Sequence, residues 1–305
     1  MRPELHAYLA SLLGERVQFA APLARYTSFR VGGPADVLVE VDSLAELQAV
    51  LRALQKEDTP YFLLGGGTNI LVSDKGVRGV VIRLGDGFNY AHWEESDGEA
   101  WVRVGAARPL GRFVRDAAAK GYGGVEFAEG IPGSVGGGLL MNAGAFGGEL
   151  SRVVKTVSGV HANGELLRLP GEAVGFAYRR TALPPEFIVA EVEFHVHADT
   201  PTAITAKMQQ AQQKRQTTQP HGYPNAGSIF KNPPGAYAGK LIETAGLKGM
   251  ACGQAQVSEQ HANFIVNKGG ARAADVKQLM EQIERTVWEK HHVRLEPEVR
   301  LVGEW

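Results

Sequence analysis

The sequence predicts an α/β protein built from more than one structural unit, and three observations lead there. The chain has 305 residues, enough for two or so domains and a sizeable core. Short apolar runs of the kind strands make alternate with stretches whose apolar residues recur at helical spacing. A composition shift begins at Asp199, where a glycine-rich region gives way to a Gln- and Lys-rich stretch with no glycine before Gly222.

The elements follow in order. Leu5, Leu9, Leu12 and Leu13 mark a short packing helix that stops at Gly14. Arg25 to Gly33 leads into a strand over 35–41. Ser43-Leu44-Ala45-Glu46 has the form of a capping box, and Leu44, Leu47, Val50, Leu51 and Leu54 then line one face of a helix ending near Lys56. Two apolar runs, 61–64 and 70–72, read as buried strands on either side of Gly65-Gly66-Gly67, and 79–84 is a further strand. These make a small α/β unit. A strand over 101–106 precedes a helix with Pro109 at its first position and Gly121 as its C-terminal cap. After a second glycine-dense stretch come strands near 153–161, 165–169 and 187–197.

Thr200-Pro201 opens a polar helix reaching about Thr217, a bridge into a further unit. That unit holds an extended segment over 228–231, a helix over 238–245 stopped by Gly246, and a strand over 263–267. An amphipathic helix over about 274–290 follows, with Val276, Leu279, Met280, Ile283 and Val287 facing a core, and then a last strand near 298–302. No internal repeat is present.

Composition excludes several classes of function. Net charge is −1, from 32 basic and 33 acidic residues, so no overall field favours nucleic acid or an anionic membrane. Cys252 stands alone, which excludes an intramolecular disulfide and a cysteine-based zinc site; it reads as a small packing residue. Glu4, His6 and Glu15 interrupt the apolar residues of the N-terminus, which is then neither a signal sequence nor a membrane span. A cytoplasmic protein is expected. His195 and His197 share a strand face and His291 adjoins His292, but neither pair has an evident third ligand, so no metal is expected.

Glycine is where the sequence departs most from the ordinary: 38 of 305 residues, against a typical ~7%. Gly65, Gly66 and Gly67 let the backbone turn with positive φ and approach something closely. Their successive N–H groups can form a nest for an anion, with the Thr68 hydroxyl and the Asn69 amide adding hydrogen bonds. The alternative is a tight connection between strands. The second stretch, Gly130-Ile131-Pro132-Gly133-Ser134-Val135-Gly136-Gly137-Gly138 and then Asn142-Ala143-Gly144, is too rich in glycine for a well-packed helix, at about 1 kcal/mol per glycine. Such backbone suits a large ligand lying against it. Neither stretch has the spacing of a P-loop or of a dinucleotide fingerprint, and Gly235 to Leu241 falls one residue short of the former.

These motifs, together with Thr27-Ser28-Phe29-Arg30-Val31-Gly32-Gly33, Tyr178-Arg179, Asn225-Ala226-Gly227-Ser228-Ile229-Phe230-Lys231-Asn232-Pro233, Ala238-Gly239-Lys240-Leu241-Ile242-Glu243 and Leu295-Glu296-Pro297-Glu298-Val299-Arg300, occur in order along the chain. In them the sequence resembles the UDP-N-acetylenolpyruvoylglucosamine reductases of bacterial cell-wall synthesis, the MurB family, over nearly everything after about residue 22. Residues 1–22, ahead of the resemblance, are the N-terminal helix and lead-in. The resemblance implies a two-subdomain FAD-binding fold of the PCMH or vanillyl-alcohol-oxidase type over 23–198, divided about 23–95 and 96–198, and a C-terminal α+β substrate domain over 199–305.

It also implies noncovalent FAD, with NADPH as reductant. The cofactor-binding residues carried over are Gly65, Gly66, Gly67, Thr68, Asn69 and Ile70, then Gly130, Ile131, Pro132, Gly133, Ser134, Gly136 and Gly137, then Asn142, Ala143 and Gly144. The implied reaction reduces the enolpyruvyl ether of a UDP-sugar to a lactyl ether, giving UDP-N-acetylmuramate. Arg179 matches the arginine that stabilises developing charge, Ser228 the proton donor and Glu298 the catalytic glutamate. Tyr178, Lys231 and Asn232 are implied substrate contacts, and a monomer is expected. Departures from the pattern are Thr217-Thr218-Gln219-Pro220, where some members carry lysine, and Phe146, a place often held by Tyr. The segment between Arg180 and Pro201 is too short for the tyrosine-bearing insertion of the longer class. Two rivals stay open: another FAD oxidoreductase of the same fold, such as a sugar or lactone oxidase, and a nucleotide-binding module without catalysis.

Overall fold

The two short strands that flank the first glycine turn belong to different sheets. Tyr61–Leu63 pairs in parallel with Val77–Leu84, in the register Tyr61↔Val80. Ile70–Val72 instead pairs in parallel with Arg300–Val302, Ile70 opposite Arg300. The computed structural model describes residues 2–305 and divides into two compact units whose chain boundary falls inside this turn, between Gly66 and Gly67. One unit comprises Met1–Phe19, Val37–Gly66 and Gly79–Lys214; the other comprises Ala20–Asp36, Gly67–Arg78 and Arg215–Trp305. The units therefore cut across the sequence divisions at 22 and 198.

The first unit has two cores. One lies on the sheet ordered Leu166–Pro170, Val154–Val160, Ile188–Ala198, Glu99–Gly105 and Ala91–Ser96, with Tyr122–Gly123 pairing the end of Ile188–Ala198. Alternation along Ile188–Ala198 buries Val192, Phe194 and Val196, the period-2 pattern of a sheet with one covered face. Leu110, Phe113, Val114 and Ala117 of helix Leu110–Ala119 join the same core, and the rings of Phe113 and Phe194 lie 4.6 Å apart. Pro109 is the residue before this helix and not its first residue.

The other core joins helices Pro3–Leu13 and Leu44–Lys56 to strands Pro34–Val41 and Val77–Leu84 through Leu5, Leu9, Leu47, Leu51, Val39 and Ile82. Ser43 caps Leu44–Lys56 by accepting the Glu46 amide at 3.2 Å. The Glu46 carboxylate is shared: it accepts from the Asp42 amide at 2.7 Å and pairs with Arg16 at 2.6 Å, and the Ser43 backbone amide also faces it.

Two expectations are corrected here. Tyr61–Leu63 is half-buried, whereas Ile70–Val72 is the buried strand that was expected. The glycine-dense stretch does form a helix, Val135–Leu140, which contains Gly136, Gly137 and Gly138. A Cβ on Gly136 would come within 2.9 Å of the Ala106 Cβ, and one on Gly138 within 3.2 Å of Leu110 Cδ2. At Gly136 the contact is closer than a side chain allows, and at Gly138 it is tight; close packing of this kind favours glycine despite its poor helix propensity.

The second unit has one core, centred on Val276, Leu279, Met280, Ile283 and Val287 of helix Ala273–His291. It packs with the sheet ordered Ala251–Cys252, Ala255–Val257 and Ile265–Asn267. Phe29, Val31 and Leu71, from early in the chain, belong to this core. Asp74 caps the helix, its carboxylate accepting from the Ala273 and Ala274 amides at 2.8 and 2.9 Å. Cys252 packs beside the core with its thiol 3.1 Å from Gln278 Oε1. Among the described residues, no helix is long and apolar enough to cross a membrane.

Candidate active site

In the first unit the two glycine stretches touch. A Cβ on Gly66 would lie 2.7 Å from the Gly133 Cα and 3.1 Å from the Ser134 nitrogen, so bare backbone packs on bare backbone. Gly65, Gly66, Gly130 and Pro132 are exposed there. The amide N–H groups of Gly65 and Gly66 donate to no acceptor among the described residues. An exposed surface without side chains, carrying unused amide donors, fits the diphosphate of a dinucleotide. Ser134 spends its hydroxyl on the helix that follows, accepting the Gly137 amide at 3.3 Å. Ile131 packs on the core.

Asn142, Ala143 and Gly144 form a corner that holds Arg179. Asn142 is 2% exposed; its side chain donates to the Ala177 carbonyl at 3.3 Å and accepts the Ser151 amide at 3.0 Å. The Ala143 carbonyl accepts the Leu150 amide, and the Gly144 carbonyl accepts from Arg179 Nη1 at 3.1 Å. Arg179 has φ 57°, a left-handed conformation that costs a residue of its size on the order of 1–3 kcal/mol. Its guanidinium carbon lies 5.4 Å from the centroid of the exposed Tyr178 ring.

In the second unit Gly67 has φ 63°, and a Cβ there would run into the Tyr26 carbonyl. Ser28 ties this turn to the serine motif: its amide donates to the Gly67 carbonyl at 3.0 Å and its hydroxyl to the Asn225 carbonyl at 2.7 Å. Ser228 is half-buried. The residues after it are gripped by Asn263, which is 3% exposed. The Asn263 carbonyl accepts the Ile229 amide at 2.9 Å, and its side chain both accepts the Phe230 amide at 3.0 Å and donates to the Phe230 carbonyl at 2.8 Å. On the other side, the Glu298 amide donates to the Ile229 carbonyl at 2.7 Å. Ser228 and Glu298 thus sit on adjacent, hydrogen-bonded segments. Asn69 donates from its side chain to the Glu298 carbonyl at 3.0 Å.

The two second-rank substrate residues are engaged within the protein. The Lys231 ammonium pairs with the Glu296 carboxylate, and Asn232 Oδ1 accepts the Ala238 amide at 3.0 Å, opening helix Ala238–Thr244. Nearby, burial pushes the His261 imidazole below its ordinary range, so the ring is neutral at pH 7.

Comparison with known proteins bears on both halves of the chain. A family model described as FAD binding domain matches residues 35–170. A second, the C-terminal domain of UDP-N-acetylenolpyruvoylglucosamine reductase, matches residues 219–302. UDP-N-acetylenolpyruvoylglucosamine reductase 2 of Symbiobacterium thermophilum is 50% identical over 290 residues, covering 94% of this chain and 92% of that one. The reductase of Syntrophus aciditrophicus is 43% identical, covering 99% and 98%. The chain belongs to the UDP-N-acetylenolpyruvoylglucosamine reductase family. The crystal structure of the MurB enzyme from Thermus caldophilus superposes with a TM-score of 0.80 at 38% identity, over 94% of this chain and 98% of that one.

For a member of the reductase family, Ser28 and Asn263 are the side chains that sequence reasoning left out. Ser28 lies inside a quoted motif but received no role. Asn263 carried one signal, an amide next to the apolar run Phe264-Ile265-Val266, which burial leaves obliged to find partners.

Proposed function

We propose that this member of the reductase family is an FAD-dependent enzyme that reduces the enolpyruvyl ether of UDP-N-acetylglucosamine to UDP-N-acetylmuramate, a step in peptidoglycan precursor synthesis. The observation that carries the reading is the family match in both halves, at 50% identity to a named reductase over 94% of the chain. The amide surface at Gly65 and Gly66 supports it from the physical side.

FAD, held at the turn of Gly65 and Gly66, would supply the redox chemistry, carrying hydride equivalents from NADPH to the enolpyruvyl ether. The protein does the rest. Main-chain amides of the first glycine turn hold the diphosphate without any basic cluster. The Arg179 guanidinium, a planar fork suited to a carboxylate, stabilises the charge that builds up beside the enolpyruvyl carboxylate. The Ser228 hydroxyl then donates a proton to the carbon next to that carboxylate. Serine is a weak acid, but its target is a strong base, so orientation matters more than acidity. Glu298 polarises the donor. Lys231, whose ammonium pairs with Glu296, keeps further N–H donors for a substrate phosphate. A soluble UDP-sugar and NADPH point to the cytoplasm as the place of work.

Separating the half-reactions tests the reading. Under anaerobic conditions, Ser228→Ala is expected to retain FAD and to bleach with NADPH at a near-normal rate. Recovery of the flavin absorbance on adding the enolpyruvyl substrate should slow by about 10²–10⁴. Equal slowing of both steps would remove Ser228 as the proton donor. A parent protein that binds FAD but turns over oxygen with a simple sugar and ignores the enolpyruvyl substrate would instead be an oxidase.

A further inference from the structure

The turn that carries the first glycine cluster continues into Asn69, and Asn69 reaches the backbone of Glu298. We propose that Asn69 is a positioning residue for Glu298, one that links the cofactor turn to the carboxylate acting on the substrate. This rests on the catalytic reading of Glu298 given above.

The parallel pairing of Ile70–Val72 with Arg300–Val302 begins at Ile70↔Arg300. Just before it, the Asn69 carbonyl accepts the Arg300 amide at 3.0 Å, and the Asn69 side chain donates to the Glu298 carbonyl at 3.0 Å. The side chain thus adds one hydrogen bond beyond the end of the strand pair, on the residue whose carboxylate is at stake. The amide of the same residue is held from the other direction, donating to the Ile229 carbonyl at 2.7 Å, next to Ser228. With its N–H and its carbonyl each fixed by a different segment, Glu298 has a defined backbone and hence a defined direction for its Cα–Cβ bond. Placement of this kind governs rate steeply, since small displacements of a reacting group have large effects.

The resemblance implies a cofactor contact for Asn69. Its side-chain nitrogen carries two N–H groups, and one of them is given to the Glu298 carbonyl. An Asp at this position keeps the size and loses the donor, and an Ala loses both.

The test uses the full chain, with Asn69→Asp and Asn69→Ala each prepared with FAD. Both are assayed at saturating FAD, with rates taken per loaded enzyme, and on that basis are expected to be reduced by NADPH at the parent rate. Reoxidation by the enolpyruvyl substrate should slow about ten- to a hundred-fold, as a fall in kcat with KM little changed. In the FAD-free protein, amide hydrogen exchange over 295–300 should quicken, a readout independent of turnover. If Asn69 acts through Glu298, adding Asn69→Asp to Glu298→Gln should slow reoxidation little further.

Three outcomes overturn the proposal, and they differ. Multiplicative effects in the double variant, or normal reoxidation by both Asn69 variants beside a slow Glu298→Gln, would mean that Asn69 does not work through Glu298. Loss of FAD in proportion to lost activity, with normal reoxidation of whatever enzyme stays loaded, would make Asn69 a cofactor contact. An unimpaired Glu298→Gln would remove the catalytic reading of Glu298, and the proposal with it.

Discussion

Gly65 and Gly66 are neighbours in the same turn, yet a methyl group added at each meets something different. At Gly66 it would press on backbone, 2.7 Å from the Gly133 Cα, and backbone in a packed loop cannot step aside. At Gly65 it would meet only the Ser134 hydroxyl at 3.1 Å, an atom that needs to give by a few tenths of an ångström. Gly66→Ala should therefore cost about 1–3 kcal/mol, the usual range for overpacking, and lower the melting temperature of the FAD-free protein. Gly65→Ala should melt close to the parent but release FAD more readily on dilution, because its methyl group stands on the exposed amide surface. Flavin fluorescence after gel filtration measures the second effect. Full flavin retention by Gly65→Ala would make this surface structural only. The triple glycine was visible in the sequence as one feature, but its three reasons were not. Of the three residues only Gly67 has a positive φ; Gly66 is fixed by a tertiary neighbour and Gly65 by neither. Asn69, Ser28 and Asn263 were opaque for the same cause: an amide or hydroxyl shows in sequence, while its partner, often some 200 residues away, does not.

At the scale of elements, periodicity located the long helices and most of the longer strands, because burial of one face dictates the spacing of apolar residues, but it missed Val17–Pro22, Ala91–Ser96 and Ala255–Val257. The failure at Val135–Leu140 shows the limit of propensity: three glycines form helix, and at Gly136 the close approach of Ala106 leaves no room for a Cβ. Sheet membership was not legible either, since the partners of Tyr61–Leu63 and Ile70–Val72 lie near in sequence for the one and far for the other. Ser43 and Glu46 were legible as a capping-box pattern, but the capture of the glutamate by Arg16 was not. That capture makes a pH prediction. The hydrogen bond from Arg16, followed by that from the Asp42 amide, holds the Glu46 carboxyl below its ordinary value of 4.5 despite partial burial. A carboxylate depressed in the folded state adds stability that is fully present above about pH 4.5 and is lost as pH falls through the lowered folded value. Glu46→Gln should thus lower the urea midpoint at pH 7, by an amount corresponding to about 1 kcal/mol for a pair this exposed. The gap should narrow toward pH 3. A deficit that stayed constant with pH would point to lost packing and not to the charge.

For the molecule as a whole, the composition shift at Asp199 marks a bridge into the C-terminal unit, and the compact unit there combines Arg215–Trp305 with Ala20–Asp36 and Gly67–Arg78. Its core takes Phe29, Val31 and Leu71 from the first quarter of the sequence. Asn267, 4% exposed, donates to the Phe29 carbonyl at 3.1 Å. Asp74 supplies the cap of helix Ala273–His291, and Ile70–Val72 supplies the only strand paired with Arg300–Val302 among the described residues. A fragment over 199–305 lacks all of these. Truncating one large buried apolar side chain to Ala costs about 2–5 kcal/mol, and a whole domain is stable by only ~5–15 kcal/mol, so losing Phe29, Val31 and Leu71 together consumes most or all of the margin. The fragment is expected to keep some helical far-UV dichroism, because Ala273–His291 has its own amphipathic pattern, while losing near-UV signal and unfolding in urea without a sharp transition. A second chain that splices 20–36 and 67–78 ahead of 215–305 through flexible linkers should recover cooperativity if those segments are what the core lacks. A sharp urea transition from 199–305 alone, with a near-UV spectrum that heating abolishes, would mean that the late segment closes its own core and that the early strands merely lie upon it.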